Sequence, residues 1–449
     1  MAWGPSTTTT QSGLDGYFKI TERGSSVSTE VRAGVATYLV MAYIVFLNPI
    51  ILEPLGFEPV AVAAATALAA GLLSIIMGVY SNYPVAMATG LGINAAVAFQ
   101  LVIGGGLTPK GAMGVIVLEG IAVTVLVLLG LREAVMKAVP DSLKLAIAVG
   151  IGLFILFIGF VNGGLIVGGG GTPVSFVFPN TASSAVTLLG LLIAVALFAR
   201  KMKGALIITI ALTAILALIF GVNDWPDKIP APEFSTLWQF DLGNVWDLGF
   251  LTAILTIFTF MLTDFFDTMG TATAVVEQAG LTDENGEIPD VGKLLLVDSA
   301  GAAVGGAFGV SSNTSYIESS AGVAEGGRTG LTSVVVGLLF LVTIFLSPLA
   351  VLVQGPVTAA VLIVVGFLMI GFIRKINFTD LEEGFPALMA IILMPLTYSI
   401  TVGIGAGFVM HTLIKVVKGK WSEVSGIMWA VTAAFLIYFA QAQLDSWVN

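Results

Sequence analysis

Tyr83-Pro84-Val85-Ala86-Met87-Ala88-Thr89-Gly90-Leu91-Gly92-Ile93-Asn94 and Gly309-Val310-Ser311-Ser312-Asn313-Thr314-Ser315-Tyr316-Ile317-Glu318 are the two stretches whose reading decides the fold. Neither makes a good full-length membrane helix. The first opens on proline and carries two glycines; the second is rich in Ser and Thr and has β character. Both sit inside a long series of apolar segments, third and tenth in order, and Asn94 and Glu318 lie half the chain length apart. Seven segments precede a polar loop from Asp224 to Asp247 that holds Pro226, Pro230 and Pro232. A repeat with an odd number of spans must insert its second copy upside down. Interrupted segments at matched places in two inverted halves point to a transporter's binding site, because irregular backbone at membrane depth survives only where protein encloses it around a cavity. The alternative is that both are Gly-rich helices used for close packing.

The surrounding composition sets this frame. Of 449 residues, 57% are hydrophobic and 10% charged, and the mean hydropathy is +1.01; a soluble domain carries about 25% charged residues. No ionisable side chain lies between Glu58 and Lys110, Lys144 and Arg200, or Arg328 and Arg374, and each gap has room for two or more helices of about 20 residues. A β-barrel would show short alternating segments instead. The spans are expected at about 33–52, 60–79, 84–102, 111–130, 141–161, 184–199 and 204–221. The second half holds 248–270, 292–308, 312–326, 329–350, 355–373, 384–402 and 404–417, with a further apolar stretch at 424–441 that is either a span or an interfacial helix. Basic residues set the orientation. Lys19, Arg23 and Arg32 precede span one, Arg132 and Lys137 follow span four, and Arg200, Lys201 and Lys203 follow span six, so the N-terminus is expected in the cytoplasm. Residues 1–30 are polar, with Thr7 to Thr10, and lack the apolar run of a cleavable signal; they read as a disordered or surface-lying cytoplasmic segment.

Several chemistries are excluded or unsupported. Net charge is −10 with no basic run, so nothing suggests nucleic acid. Cysteine is absent and His411, near the inner end of a late span, is the only histidine, which removes thiol chemistry and His-rich metal sites. An enzyme would be left with an acid pair alone. The cluster Gly168 to Gly171 lacks the Lys and Ser/Thr of a phosphate loop and reads as a connector.

What remains is charge inside the membrane, where an acid costs about 2.5–3.5 kcal/mol and is a functional candidate by default. Asp264 and Asp267, near the end of the eighth span, are spaced i, i+3 and share one helix face, with Thr268 extending the polar stripe. Glu318 lies in the broken tenth segment and Glu119 in the middle of span four. Burial and a like charge nearby both favour the neutral form of a carboxyl group, so such acids can carry a proton as well as hydrogen-bond a ligand. The structural alternative is that they satisfy helix ends or backbone N–H groups. Asp298, at the start of span nine, reads as structural. In an extended segment Tyr316 and Glu318 point to one side, giving an aromatic face beside an acid, suited to a flat heterocycle; plain packing explains Tyr316 equally. Asn94 offers an amide for the same purpose.

These residues resemble a known family. Asn48-Pro49-Ile50-Ile51-Leu52, Gly90-Leu91-Gly92-Ile93-Asn94-Ala95, Asp264-Phe265-Phe266-Asp267-Thr268-Met269-Gly270-Thr271 and, most specifically, Tyr316 to Thr332 (YIESSAGVAEGGRTGLT) are similar to the AzgA-like purine permeases of the nucleobase–ascorbate transporter group. The resemblance runs from about Leu14 to the last spans. It implies an all-α membrane protein of 14 segments in two inverted sevens, with short strands in the third and tenth. It implies core residues 31–139 and 247–352, gate residues 140–223 and 353–441, a loop 224–246 and a tail 442–449. It implies dimerisation through the gate, a purine substrate, protons as the coupling ion with no other cofactor, and roles in binding or coupling for Asn94, Asp264, Asp267 and Glu318. The chain departs from the family at Ala96 and Val97, where bulky aromatics are usual, and at Val310 to Ser315, where a Thr-rich run is usual. The expectation is proton-coupled purine uptake across the inner or plasma membrane, with Tyr316 stacking and Glu318, Asp264, Asn94 and Thr268 holding the edge. An anion carrier of the sulfate or bicarbonate type on the same architecture is the rival. Ionised acids would repel its substrate.

Overall fold

The computed structural model describes residues 13–130, 138–284, 288–353 and 355–448. Among them, nine helices are long and apolar enough to cross a membrane, and the expected fourteen segments follow one another in order. Arg132, Lys137 and the Thr7 to Thr10 run fall outside the described residues.

Local chemistry explains most boundaries. Segment one begins at Val27, where the Ser26 side chain accepts from Thr29 N at the helix N-terminus. Residues 27–30 therefore belong to the first helix rather than to a loose leader. Glu30, fully buried, accepts from Arg328 N, Thr329 N and the Thr332 hydroxyl at 2.9, 3.2 and 2.5 Å, so the first helix is tied to the start of segment eleven (Gly330–Thr343). Residues 14–25 are docked as well: Phe18 and Ile20 are buried against Leu331, and Asn82 donates to Phe18 O and accepts from Gly330 N. Segment one runs as two helices, Val27–Met41 and Ile44–Ile51, the second containing Pro49; a proline there cannot donate to the preceding turn. Segments two (Pro59–Ser81), four (Pro109–Leu128) and twelve (Pro356–Met369) start on proline, at the position where a missing N–H costs nothing.

The interrupted segments are what the sequence reading expects. The third is a strand, β1 (Met87–Thr89), then a helix Leu91–Ala95 that winds on as a π-helix, Ala96–Gly104. Gly168 to Gly171 do not form a bare connector: β2 (Ile166–Gly168) and β3 (Val174–Phe176) pair antiparallel, with the glycines at their turn. The tenth segment is β4 (Asn313–Ser315) followed by a helix Ser319–Ala324. β1 and β4 pair antiparallel, with Met87 opposite Ser315, Ala88 opposite Thr314 and Thr89 opposite Asn313. The last apolar stretch is a helix, Gly426–Val448, packed against segment fourteen (Ile400–Val417).

Segments two, four, eight (Phe250–Gln278), nine (Val291–Ala307) and eleven pack around the strand pair. Segments five (Asp141–Asn162), twelve, thirteen (Leu381–Thr397) and fourteen pack among themselves on the other side. At the end of that second group Glu382 is bonded by Lys415, Lys420 and Lys418, which together hold its carboxyl well below the usual range. Phe250, Phe345 and Val417 are among the large apolar side chains left on the outer surface, as befits a surface facing hydrocarbon.

Segment two buries seven alanines between Ala61 and Ala70, and it meets segment eleven backbone to backbone, Gly71 against Gly337 and Gly78 against Gly330. Small residues allow this approach, and lipid supplies no hydrophobic force to replace it. A Cβ on Gly78 would strike the Gly330 carbonyl. Gly78→Val is therefore expected to destabilise the detergent-solubilised protein by about 1–3 kcal/mol, read as a lowered melting temperature. Gly292→Ala, whose Cβ meets nothing within 4 Å, should leave the melt unchanged.

Candidate functional site

β4 lies along the middle of segment eight. The Ser312 hydroxyl donates to Asp264 Oδ1 at 3.1 Å, and Thr314 and Thr268 share a hydroxyl contact at 2.7 Å. Two strand residues advance about 6.7 Å and four helical residues about 6 Å, so the contacts stay in step. The alternate strand residues turn to segment nine, where Asp298 Oδ1 accepts from the backbone N and hydroxyl of Ser315, both at 2.7 Å. Asp298 Oδ2 accepts from the Thr268 hydroxyl at 2.5 Å. With three donors on one buried carboxylate, Asp298 is the anchor of the strand, the structural part that the sequence reading assigns to it. Thr268 serves the same anchor.

Asp264 and Asp267 separate despite their spacing. Asp264 is fully buried, and its Oδ2 has no hydrogen-bond donor among the described residues. The carboxyl group of Glu119, also fully buried and without a donor to either oxygen, lies within hydrogen-bonding reach of it. Among the described residues Glu119 thus bonds to no Ser, Thr or backbone group of a neighbour, against the bland reading of a mid-helix acid. Asp267 instead lines an open cavity of about 390 Å³, its solvent-filled mouth included. Gly90, Gly92 and Ile93 of the third segment, Lys144, Ile147, Ala148 and Ile151 of segment five, Thr263 and Phe266 of segment eight and Met369 of segment twelve line the rest of it. The Lys144 ammonium is paired with Asp141 at 2.7 Å and lies 5.8 Å from the centre of the Phe266 ring.

Glu318 is partly buried and accepts from the Tyr43 hydroxyl at 2.7 Å, at the break in segment one. The chain has already left the strand there: Ser319 N bonds back to Tyr316 O, and Glu318 has helical dihedrals as the first cap of the helix Ser319–Ala324. The expectation that Tyr316 and Glu318 project together from an extended segment is corrected on this point. The Tyr316 ring is buried and its hydroxyl donates to Thr89 O at 2.6 Å. No hydrogen bond joins Asp264 to Glu318 among the described residues; they flank β4 at opposite ends, and Asp267 lies close enough to feel the charge of each. Asn94 is buried at the start of a chain of amides, donating to Asn48 Oδ1 at 2.5 Å, while Asn48 donates to Thr66 Oγ1 at 2.8 Å and Val310 O at 3.2 Å. Its own Oδ1 has no donor. Phe266, Lys144 and the Asn48 relay were not singled out as site residues. Asn48 and Phe266 stand in quoted motifs; Lys144, lone and basic at the start of an apolar span, was the signal available for the third.

A polytopic helical fold with two half-helices meeting at a strand pair, beside acids and a cavity, defines a secondary transporter of the membrane. The chain belongs to the permease family, whose pattern it matches over residues 28–406, and is a transporter rather than an enzyme. It is similar to the adenine permease AdeP of Escherichia coli, 40% identical over 96% of each chain. It is also similar to the guanine/hypoxanthine permease PbuG of Bacillus subtilis, 39% identical over 94% of this chain and 98% of that one. In fold it is similar to the transmembrane domain of a cyanobacterium bicarbonate transporter, BicA, with a TM-score of 0.61 and 15% identity over 85% of this chain and 97% of that one. These findings agree with the family read from the motifs at Gly90 and Tyr316.

Asp298→Ala leaves the Ser315 N–H buried without an acceptor, a cost of about 1–3 kcal/mol. The expected result is a lowered melting temperature in detergent, with a smaller drop for Asp298→Asn, which keeps one acceptor oxygen.

Proposed function

We propose that the chain takes purine nucleobases of the adenine, guanine and hypoxanthine class into the cell together with protons, driven by the proton motive force. In this reading segments one to four and eight to eleven form a core that moves, elevator-like, against a gate of segments five to seven and twelve to fourteen. The supporting observation is the cavity itself: Gly90 to Ile93, Thr263, Phe266 and Asp267 lie on the core side, and Lys144 to Ile151 with Met369 on the gate side. A substrate held there is held at the seam that would move. Relatives named as adenine and guanine/hypoxanthine permeases supply the substrate class.

The substrate's ring nitrogens and N–H groups need both acceptors and donors at its edge. Asp267 provides an acceptor in the cavity wall, Asp264 stands one turn behind it, and Glu318 and Asn94, outside the lining, are the further acceptors this reading assigns to the substrate. Phe266 supplies the aromatic face in the cavity wall that the sequence reading sought in Tyr316. Glycine at 92 lets Ile151 close against the half-helix, since a Cβ there would strike Ile151 Cγ2. Acids at this seam disfavour the anion-carrier reading, since fold likeness to BicA carries no substrate with it. The protein would sit in the inner or plasma membrane with its N-terminus in the cytoplasm. Ala182–Ala199, buried inside the fold for only 28% of its span, offers the gate face on which a second copy would pack.

In cells lacking other purine permeases, Glu318→Gln is expected to reach the membrane yet lose at least most hypoxanthine uptake. Saturable uptake at the wild-type rate by that variant sinks the site. Unlabelled adenine should compete with labelled hypoxanthine and sulfate should not; a protonophore should abolish accumulation. Competition by sulfate alone would favour the anion carrier.

A further inference from the structure

Three acids lie buried together with no cation beside them among the described residues: Glu119, Asp264 and Asp298. Their hydrogen bonds are unevenly shared. Asp298 accepts three, which suits an ionised group; Asp264 accepts one, from Ser312; Glu119 accepts none from the described residues. Two ionised carboxylates in contact with one donor between them would leave three buried oxygens unpaired and two like charges touching, each desolvated. A proton between them removes the charge repulsion and pairs two of the three oxygens, because a protonated carboxyl donates and its neighbour accepts.

Among the described residues, the groups around this pair offer no alternative counter-charge. Segment eight presents Asp264 and Asp267, segment nine presents Asp298, and the π-helix Ala96–Gly104 presents no titratable side chain. Asp241 and the turn Asn244–Leu248, which carries Asp247, meet segment four at Gly111 and Gly114, more than one helical turn from Glu119, and both add negative charge. Gly120, next to Glu119, lies against the backbone of Ala303, which closes segment four onto segment nine and seals the glutamate away from the outer surface. Asp264 lies one helical turn from Asp267 on the cavity wall, so segment eight links the pair to the cavity through Asp264.

We propose that Glu119 and Asp264 share a proton and act as one proton-accepting unit behind the binding cavity, with Glu119 as the member that touches no substrate. The unit carries one negative charge in its resting form. A second proton, taken from water in the cavity by way of Asp264, makes it neutral, and release returns the same proton to the cavity. Asp298 keeps its charge throughout as the anchor of β4. This rests on the proton-coupled reading above and adds a residue to it.

The test uses the full-length protein in proteoliposomes with adenine as probe and a pH difference of about one unit. A carrier coupled to one proton accumulates about tenfold at that gradient, since each pH unit is a tenfold ratio of proton activity. Glu119→Gln is expected to bring the accumulation ratio down to about one while adenine still equilibrates across the bilayer. Accumulation by the variant equal to the wild type overturns the proposal. A second arm needs no transport: at neutral pH the infrared spectrum of the wild type should hold a protonated-carboxyl band that disappears in Glu119→Gln and shifts in Asp264→Asn. Absence of that band in the wild type overturns the shared proton even if either variant fails to fold. A wild type that moves no adenine, yet shows the band and its change in the variants, leaves the acid pair standing and removes the purine reading instead.

Discussion

Met87–Thr89 and Asn313–Ser315, three residues from each half of the chain, bond to each other in the middle of the protein, and most of what surrounds them exists to make that tolerable. A strand at membrane depth has two edges, and each backbone group left unpaired in hydrocarbon costs several kcal/mol. One edge of each strand is spent on the pairing. On the outer edge of β1, the Ser74 hydroxyl both accepts from Met87 N and donates to Met87 O, the Ser319 hydroxyl accepts from Ala86 N, and the Ser333 hydroxyl donates to Tyr83 O and Val85 O. On the outer edge of β4, Asp298 takes Ser315 N. Small hydroxyls on segments two, ten and eleven and one carboxylate on segment nine thus replace the missing neighbouring strands. Those segments must come close, which is why glycine and alanine fill their contacts.

The acids divide by how many donors they meet. Asp298 is saturated and immobile. Glu318 is held by a single tyrosine hydroxyl at the break in segment one. Asp267 faces open space, and Asp264 and Glu119 have more acceptor oxygens than donors. A charged group with spare hydrogen-bonding capacity in a low-dielectric site is the kind whose state can change with a ligand or a proton; one with three donors is not. In the proposed reading the strand pair supplies rigidity and the unsaturated acids beside it supply the chemistry.

The order of segments, the two interruptions and the strands within them were legible because each leaves a compositional trace: apolar runs of helical length, a Pro-Gly-Gly stretch and a Ser/Thr stretch at matched places. The placement of the acids was legible only in part. Their cost in the membrane marked them, but an i, i+3 spacing says that two side chains lie near one face and not which neighbours they meet. Asp264 turned to Ser312 and Glu119 and Asp267 to the cavity, because β4 runs along the line of Asp264 and Thr268, i and i+4 on segment eight, and Asp267 stands to one side of that line. Tyr316 could not be placed from its alternation with Glu318, since the chain turns into a helix between them. The value of Glu119 was hidden for a related reason: its lack of partners is a property of segments four, eight and nine together, and no local pattern around Val117 to Ile121 announces it. The docking of residues 14–25 rests on Asn82 and Leu331, far away in sequence, so a polar leader gave no hint of it.

The pairing of β1 with β4 also constrains how the chain is made. Synthesis proceeds from the N-terminus, so Met87 to Thr89 enter the bilayer more than two hundred residues before their partners have been translated. Until Asn313 to Ser315 arrive, half of a sheet has to wait with only Ser74 to satisfy it, and a hydrated insertion channel or neighbouring chain must shelter it meanwhile. The first seven segments are thus an intermediate that biogenesis has to protect, not a module that can be completed and left.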